Sequence, residues 1–159
     1  MPAWLAWLES AALSRAMREQ VWLYPAVEIV HIVGFSVLVG AVTLFDLRLL
    51  GCAATLPVRM LARHLLLWAL ASLLLIVPAG AAMFAAQPAE FAGNGVFLLK
   101  LGLILVAGAN AAIFHLGVYR SVEQWNIDTS TPAIARLQAL LSISLWIGII
   151  SCGRLLAYT

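Results

Sequence analysis

Four long apolar runs constrain this chain more than any other feature. They cover residues 22–50, 61–86, 96–119 and 134–157. Each run is long enough for a helix that crosses a bilayer, which needs about 20 residues at a rise of about 1.5 Å each. The chain is 64% hydrophobic and only 10% charged, with a mean hydropathy of +1.03. Because soluble domains carry about 25% charged residues, this composition excludes a soluble globular domain.

Three short polar breaks separate the runs. They lie at residues 51–59, 87–95 and 120–132, and they contain the Pro, Gly, Asn, Asp and Ser residues typical of turns. Short connections make sequential helices antiparallel neighbours. We therefore predict an all-α fold, an integral membrane four-helix bundle formed by residues 21–159 as one domain.

The first 20 residues differ from the four runs. Trp4, Leu5 and Leu8 recur at helical spacing, whereas Glu9 and the arginines of this segment lie elsewhere around the helix. Residues 1–20 are therefore predicted to form an amphipathic helix in the membrane interface. A cleaved signal peptide is disfavoured, because the segment lacks a positive start and Glu9 interrupts its apolar part.

Basic residues near the ends of the apolar runs and beyond them set the predicted orientation. Five arginines belong to the side of the first and third breaks, and two belong to the side of the termini. Since Lys and Arg favour the cytoplasmic side, we predict a multi-pass protein with both termini outside. The five are Arg48, Arg59, Arg63, Arg120 and Arg136, and the two are Arg15 and Arg18.

The motifs of several common functional classes are missing from the sequence. It contains no GxGxxG or P-loop pattern, no clustered Cys/His spacing for zinc, and no Ser/His/Asp triad that follows from spacing. A net charge of +2 without a basic stripe interleaved with aromatics argues against nucleic-acid binding. No enzymatic activity is therefore indicated, and the lipid bilayer is the partner that the sequence predicts directly.

Ionisable side chains inside the runs are the main candidates for function. Charge is costly in a membrane, so such groups tend to face the bundle interior. By depth they form two layers. The outer layer contains Glu28, His31, Lys100 and Arg154. The inner layer contains Asp46, Arg48, His64 and His115, with Asn110 further into the third run. The predicted buried polar network comprises Glu28, Asp46, Arg48, Lys100, Asn110 and Arg154.

Within the outer layer, Glu28 is predicted to pair with Arg154, with Lys100 as the competing cation. An isolated carboxylate in a low-dielectric interior takes up a proton or finds a partner. Arginine is favoured over lysine because its planar guanidinium binds a carboxylate bidentately. Such pairs also have a purely structural explanation, since buried polar groups fix helix register and basic side chains near helix ends extend to the headgroups.

The three histidines, His31, His64 and His115, each lie in an apolar run. Two histidines on facing helices are a common way to hold a b-type haem in a helical bundle. His64 and His115 match in depth, whereas His31 lies about 15 Å nearer the outer side at about 1.5 Å per residue. Our first hypothesis is therefore haem b bound by His115, with His64 or His31 opposite, for membrane electron transfer. A histidine on an apolar helix face is more often an ordinary core residue.

Two other functions fit the same residues. A non-enzymatic accessory or assembly subunit would use the charged pairs to bind another membrane subunit. A small transporter or proton pathway would use the intramembrane groups Glu28, His31, Asp46 and His115. A redox partner is expected only under the haem hypothesis.

Four segments carry a family resemblance. They are Glu28–Gly34, Asp46–Gly51, Lys100-Leu101 with Asn110–His115, and Leu145–Gly148 with Cys152–Arg154. Together they resemble a family of small bacterial inner-membrane proteins that is catalogued as a domain of unknown function. The resemblance implies four helices and a location in the bacterial inner membrane, with both termini then periplasmic, and it implies no activity. His64 is not part of that pattern. A looser similarity, in an inward histidine near a glycine on the first run, is to copper-resistance D and b561-type membrane proteins.

Overall fold

A computed structural model describes residues 2–158, and this part of the chain is α-helical without any strand. The helices are α1 (Ala3–Ser10), α2 (Ala12–Glu19), α3 (Leu23–Leu49), α4 (Val58–Ala86), α5 (Pro88–Gly93), α6 (Gly95–Leu116) and α7 (Ala133–Leu155), with a 3-10 helix at Val118–Gln124. The all-α prediction is confirmed. Four helices, α3, α4, α6 and α7, are long and apolar enough to span a membrane.

The ends of the spanning helices follow local backbone chemistry. α4 begins three residues earlier than predicted, directly after Pro57. α6 ends at Leu116 rather than near residue 119, because Gly117 leaves the helical conformation with φ −105° and ψ −107°. At its other end, the Asn94 side chain accepts hydrogen bonds from the amides of Val96 at 2.9 Å and Phe97 at 3.2 Å. Asn94 thereby satisfies two donors of the first turn of α6.

The four spanning helices pack in the order α4, α3, α7, α6. α3 lies along α4 and also against α7, and α7 lies along α6. Among the described residues, no Cα atom of α4 lies within 8 Å of one in α6, although these helices are consecutive spans. Instead the rings of Phe84 and Phe97 stack between them with centroids 5.6 Å apart. The neighbour rule thus holds for α3–α4 and α6–α7, whereas α4 and α6 meet through aromatic side chains at the outer end.

The N-terminal segment is not the single helix that was predicted. It breaks at Ala11 into α1 and α2, and α2 packs against α4. Arg18 donates from Nη1 to the carbonyl of Ala86 and from Nη2 to the carbonyl of Glu9, both at 2.8 Å. A basic side chain therefore caps the carboxyl end of α4, where the helix dipole favours positive charge. These tertiary contacts were not visible in the periodicity of residues 1–20.

We call the end of the bundle that carries the first and third connections the inner end, and the opposite end the outer end. Two free cysteines mark these ends. Cys52 is exposed in the connection after α3, and Cys152 is buried near the carboxyl end of α7. Only Cys52 is therefore available to a bulky thiol reagent.

We expect a membrane-impermeant maleimide to label Cys52 in permeabilised bacterial cells but not in intact cells, because the inner end is predicted to face the cytoplasm. A Cys52→Ser variant should remain unlabelled in both conditions, since Cys152 is buried. Gel-shift detection of the labelled protein measures this directly. Labelling of Cys52 in intact cells would reverse the orientation.

Candidate functional site

The carboxyl group of Asp46 is the centre of the candidate site. Asp46 lies in the last turns of α3 and is only 5% exposed. Its Oδ2 atom is buried and has no hydrogen-bond partner within residues 2–158. The hydroxyl group of Ser142 on α7 lies beside the Asp46 carboxyl group. A buried carboxylate without a cationic partner is costly, so it takes up a proton or binds a cation.

Two further polar residues belong to the same site. The Asn110 side chain on α6 donates from Nδ2 to the main-chain carbonyl of Gln138 on α7 at 3.0 Å. The side-chain Oε1 of Gln138 is buried and, like Oδ2 of Asp46, has no partner in the described part of the chain. Gln138 precedes Ser142 by one helical turn, so both lie on one face of α7. We call Asp46, Asn110, Gln138 and Ser142 the inner polar cluster.

Apolar side chains pack around the inner polar cluster. At the depth of Asp46, Phe45 and Phe114 form an edge-to-face pair with ring centroids 5.8 Å apart, and both are buried. Towards the outer end, Phe35 and Trp146 pack against Leu145 and neighbouring buried residues, with ring centroids 6.0 Å apart. Because apolar side chains exclude water, unsatisfied oxygens among them retain their full electrostatic cost.

The outer layer of polar residues is assembled around His31. Its Nδ1 atom lies 3.0 Å from the carbonyl oxygen of Ile76 on α4. Since a carbonyl only accepts, Nδ1 carries the proton, and Nε2 of the neutral ring has a free lone pair. Gly80 makes room for the imidazole, because a Cβ atom at that position would lie 3.1 Å from Cε1 of His31.

Lys100 and Glu28 lie near enough to His31 to act on it electrostatically. Lys100 is half-buried, and its Nζ lies 3.7 Å from the position that a Cβ atom on Gly153 of α7 would take. Glu28 itself is exposed rather than buried.

The predicted pairing of Glu28 with Arg154 is not formed. Arg154 is exposed; its Nη2 donates to the hydroxyl of Tyr158 at 2.6 Å, and its guanidinium lies 5.0 Å from the centre of the same ring. Within residues 2–158, the structure contains one side-chain ion pair, which joins Arg59 and Glu123 at the inner end. Tyr158 follows Arg154 by one helical turn, and such a local contact costs less ordering than a pair between two helices.

Arg48 is buried as predicted, but it does not join Asp46. Its Nε donates to the carbonyl of Leu56 at 2.7 Å, and its Nη2 donates to the carbonyls of Ala54 at 2.9 Å and Asn126 at 3.2 Å. Arg48 thus holds the first connection against the third. Two positions along a helix correspond to a rotation of about 200°, so Asp46 and Arg48 leave α3 in nearly opposite directions.

The other two histidines occupy different environments. His64 is exposed on α4, and His115 is half-buried on α6 with its ring 5.2 Å from Phe114 and 5.1 Å from Tyr119. In the described residues, no hydrogen bond or ring contact joins any two of His31, His64 and His115. The same residues contain no group of three or more His, Cys, Asp or Glu side chains that could hold a metal ion.

Sequence reasoning missed Gln138 and Asn126. Gln138 is a polar residue inside an apolar run, four positions before Ser142. That spacing places Gln138 and Ser142 on the same face of a helix, so the sequence alone could have identified them as neighbours. Asn126 gives no such signal, because it supplies a main-chain carbonyl to Arg48 from a connection whose fold the sequence does not reveal.

These features define a small multi-pass membrane protein with a polar cluster buried between its helices. The model of a family described as a family of unknown function, DUF6644, matches residues 4–159. The chain belongs to this family, which confirms the resemblance found in the apolar runs. No curated protein and no solved structure matches the chain.

Proposed function

We propose that this protein is a proton pathway of the membrane in which Asp46 is the residue that binds and releases the proton. The observation that carries the proposal is the buried Oδ2 of Asp46, which has no donor among the described residues. Purely structural buried polar groups are normally hydrogen-bonded, because each unsatisfied group costs about 1–3 kcal/mol. An unsatisfied carboxyl inside a membrane is the feature expected of a functional ionisable group.

A proton on Asp46 would turn its Oδ2 atom from an acceptor without a partner among the described residues into a hydrogen-bond donor. The Oε1 of Gln138 is a buried oxygen of the same cluster that lacks a donor. Ser142 lies beside the Asp46 carboxyl group, and Asn110 donates a hydrogen bond to the main-chain carbonyl of Gln138.

His31 supplies the second proton-binding group of the proposed pathway. It precedes Asp46 by 15 residues on α3, which corresponds to about 22 Å along the helix at about 1.5 Å per residue. Its Nε2 has a lone pair that can accept a proton, because Nδ1 donates to Ile76. Phe35 lies between His31 and Asp46 along α3, and its ring contacts that of Trp146, so an apolar layer would limit the entry of water between the two groups.

Proton flux into proteoliposomes tests the proposal. Purified protein is reconstituted with a pH-sensitive dye inside, and a potassium diffusion potential drives proton entry. We expect wild-type protein to acidify the interior faster than empty liposomes. Asp46→Asn should reduce the flux to the empty-liposome rate, because the amide keeps the shape of the side chain but cannot bind and release a proton.

Glu90→Gln is the matched control, since it removes an exposed carboxyl group from α5, outside the spanning helices. It should leave the flux unchanged. Infrared spectroscopy gives an independent readout, in which the signal of a protonated carboxyl disappears in Asp46→Asn. Wild-type flux equal to that of empty liposomes contradicts the proposal. A membrane partner that copurifies in stoichiometric amount with such inactive protein would favour the accessory-subunit hypothesis.

Haem b binding is the second candidate, and one observation favours His31 as its ligand. Metal-ligating histidines usually donate their other ring nitrogen to a carbonyl or carboxylate, as Nδ1 of His31 does to Ile76. No hydrogen bond within residues 2–158 orients His115, which was the ligand preferred from the sequence. The residues present therefore favour one oriented imidazole rather than a facing pair.

Absorption spectroscopy tests the haem hypothesis. Protein purified after expression with added haem should show a Soret band if haem is bound. His31→Ala should abolish the band, whereas His64→Ala should retain it, because His64 is exposed. A wild-type spectrum without a Soret band contradicts haem binding.

A further inference from the structure

A pocket lies between the two connections of the inner end. The connections are joined by hydrogen bonds from the amide of Val58 to the carbonyl of Asn126 at 3.0 Å and from the amide of Asp128 to the carbonyl of Ala54 at 3.3 Å. The pocket has a volume of about 320 Å³. Two arginines, Arg48 and Arg136, contribute to its lining together with a run of hydroxyl residues, Thr129–Thr131.

Arg48 brings a buried positive charge to this pocket. It is 2% exposed. A guanidinium group stays protonated in proteins, so the charge cannot be removed by titration. Carbonyl oxygens bind its Nε and Nη2, but they carry no net charge to balance it, and Nη1 makes no hydrogen bond within the described residues. Among these residues no carboxylate lies within 4.0 Å of this guanidinium.

The start of α7 adds further positive character. Its N-cap residue is Pro132, and no side chain caps the free amides of its first turn. Thr131 and Arg136, on either side of this helix start, both line the pocket. A helix N-terminus favours anions through these amides and through the helix dipole. The carboxyl group of Asp128 is the opposing charge in the lining.

We propose that this pocket binds the phosphate group in the headgroup of an anionic membrane lipid. Arginine and free helix amides are the groups that recognise phosphate oxygens. The pocket lies where α3 ends and α7 begins, so it is placed at the depth of the lipid headgroups if the spanning helices cross the bilayer. Soluble phosphate shares the same chemistry, and the experiment below distinguishes the two sources. This proposal is independent of proton binding at Asp46.

Thermal unfolding in detergent, followed by native mass spectrometry, tests the phosphate site. Phosphatidylglycerol should raise the melting temperature of the wild-type protein, whereas phosphatidylcholine at the same concentration should not. Arg136→Gln should weaken phosphatidylglycerol binding about tenfold, through the loss of one charge-assisted hydrogen bond. Arg120→Gln is the matched control, because Arg120 is also exposed at the inner end but does not line the pocket.

Each result has a defined meaning. If inorganic phosphate alone stabilises the wild-type protein but not Arg136→Gln, the site is supported and its ligand is soluble phosphate. Equal effects of the two lipids on the wild-type protein, without stabilisation by inorganic phosphate, overturn the proposal. Equal losses of phosphatidylglycerol binding in Arg136→Gln and Arg120→Gln also overturn the proposal, because the whole basic surface, and not the pocket, then attracts the lipid. Arg48 is left intact, since its replacement is expected to disrupt the connections themselves.

Discussion

Replacement of Arg48 by methionine is expected to reduce the free energy of unfolding by roughly 3 kcal/mol or more. Methionine preserves much of the apolar stem of arginine but offers no donor. The substitution removes three charge-assisted hydrogen bonds, from the guanidinium to the carbonyl groups of Leu56, Ala54 and Asn126. A hydrogen bond to a charged group contributes about 1.5–3 kcal/mol, so the three together account for the expected loss.

The loss of stability should appear first as unfolding of the inner end. Trp125 lies in the third connection, is 3% exposed, and donates from its indole nitrogen to the Ser121 hydroxyl at 3.2 Å. Tryptophan fluorescence during thermal unfolding therefore includes a reporter beside the carbonyls that Arg48 binds. Arg63→Met is the control, because Arg63 is exposed near the start of α4 and substitutions at such surface positions usually change stability by less than about 0.5 kcal/mol. A melting temperature for Arg48→Met equal to that of the control contradicts the stabilising role.

The spanning helices were predictable because a bilayer imposes a narrow range of lengths on an apolar helix. The starts and ends depended on single residues such as Pro57 and Gly117, whose effect on the chain is local. The break in residues 1–20 was not predictable from periodicity. It is accompanied by a contact between Arg18 and the carboxyl end of α4, which lies 68 residues away in the sequence.

The depth of a polar residue was also predictable, since it follows from counting along an apolar run. The partner of that residue was not, because partnership depends on how each helix is rotated and on which helices adjoin. Asp46 and Asn110 are buried as expected, yet their common neighbour is α7, through Ser142 and Gln138. The sequence predicts Arg154 at the depth of Glu28, but in the structure Tyr158 offers it a partner on its own chain segment.

Close packing of α3 on α4 leads to the second prediction of large effect, the replacement of Gly34 by leucine. Gly34 is buried where these helices meet. A Cβ atom there would lie 3.0 Å from Cγ1 of Ile76, 3.1 Å from Cβ of Leu75 and 3.3 Å from the carbonyl oxygen of Ser72. The side chain of Ile76 can move, but a helix carbonyl and a Cβ atom cannot move without the backbone.

Gly34→Leu should therefore force α3 and α4 apart and lower the stability by about 1–3 kcal/mol or more, as overpacking does in well-packed interiors. His31 should be affected as well, because its acceptor is the carbonyl of Ile76, the residue that the new side chain would meet first. Gly40→Leu on the same helix is the matched control, since no atom lies within 4 Å of the Cβ position there. Both substitutions gain about the same helix propensity, roughly 1 kcal/mol, so their difference isolates packing. We expect Gly40→Leu to melt at or above the wild-type temperature and Gly34→Leu to melt well below it in the same detergent; equal melting temperatures would show that α3 and α4 do not approach each other at Gly34.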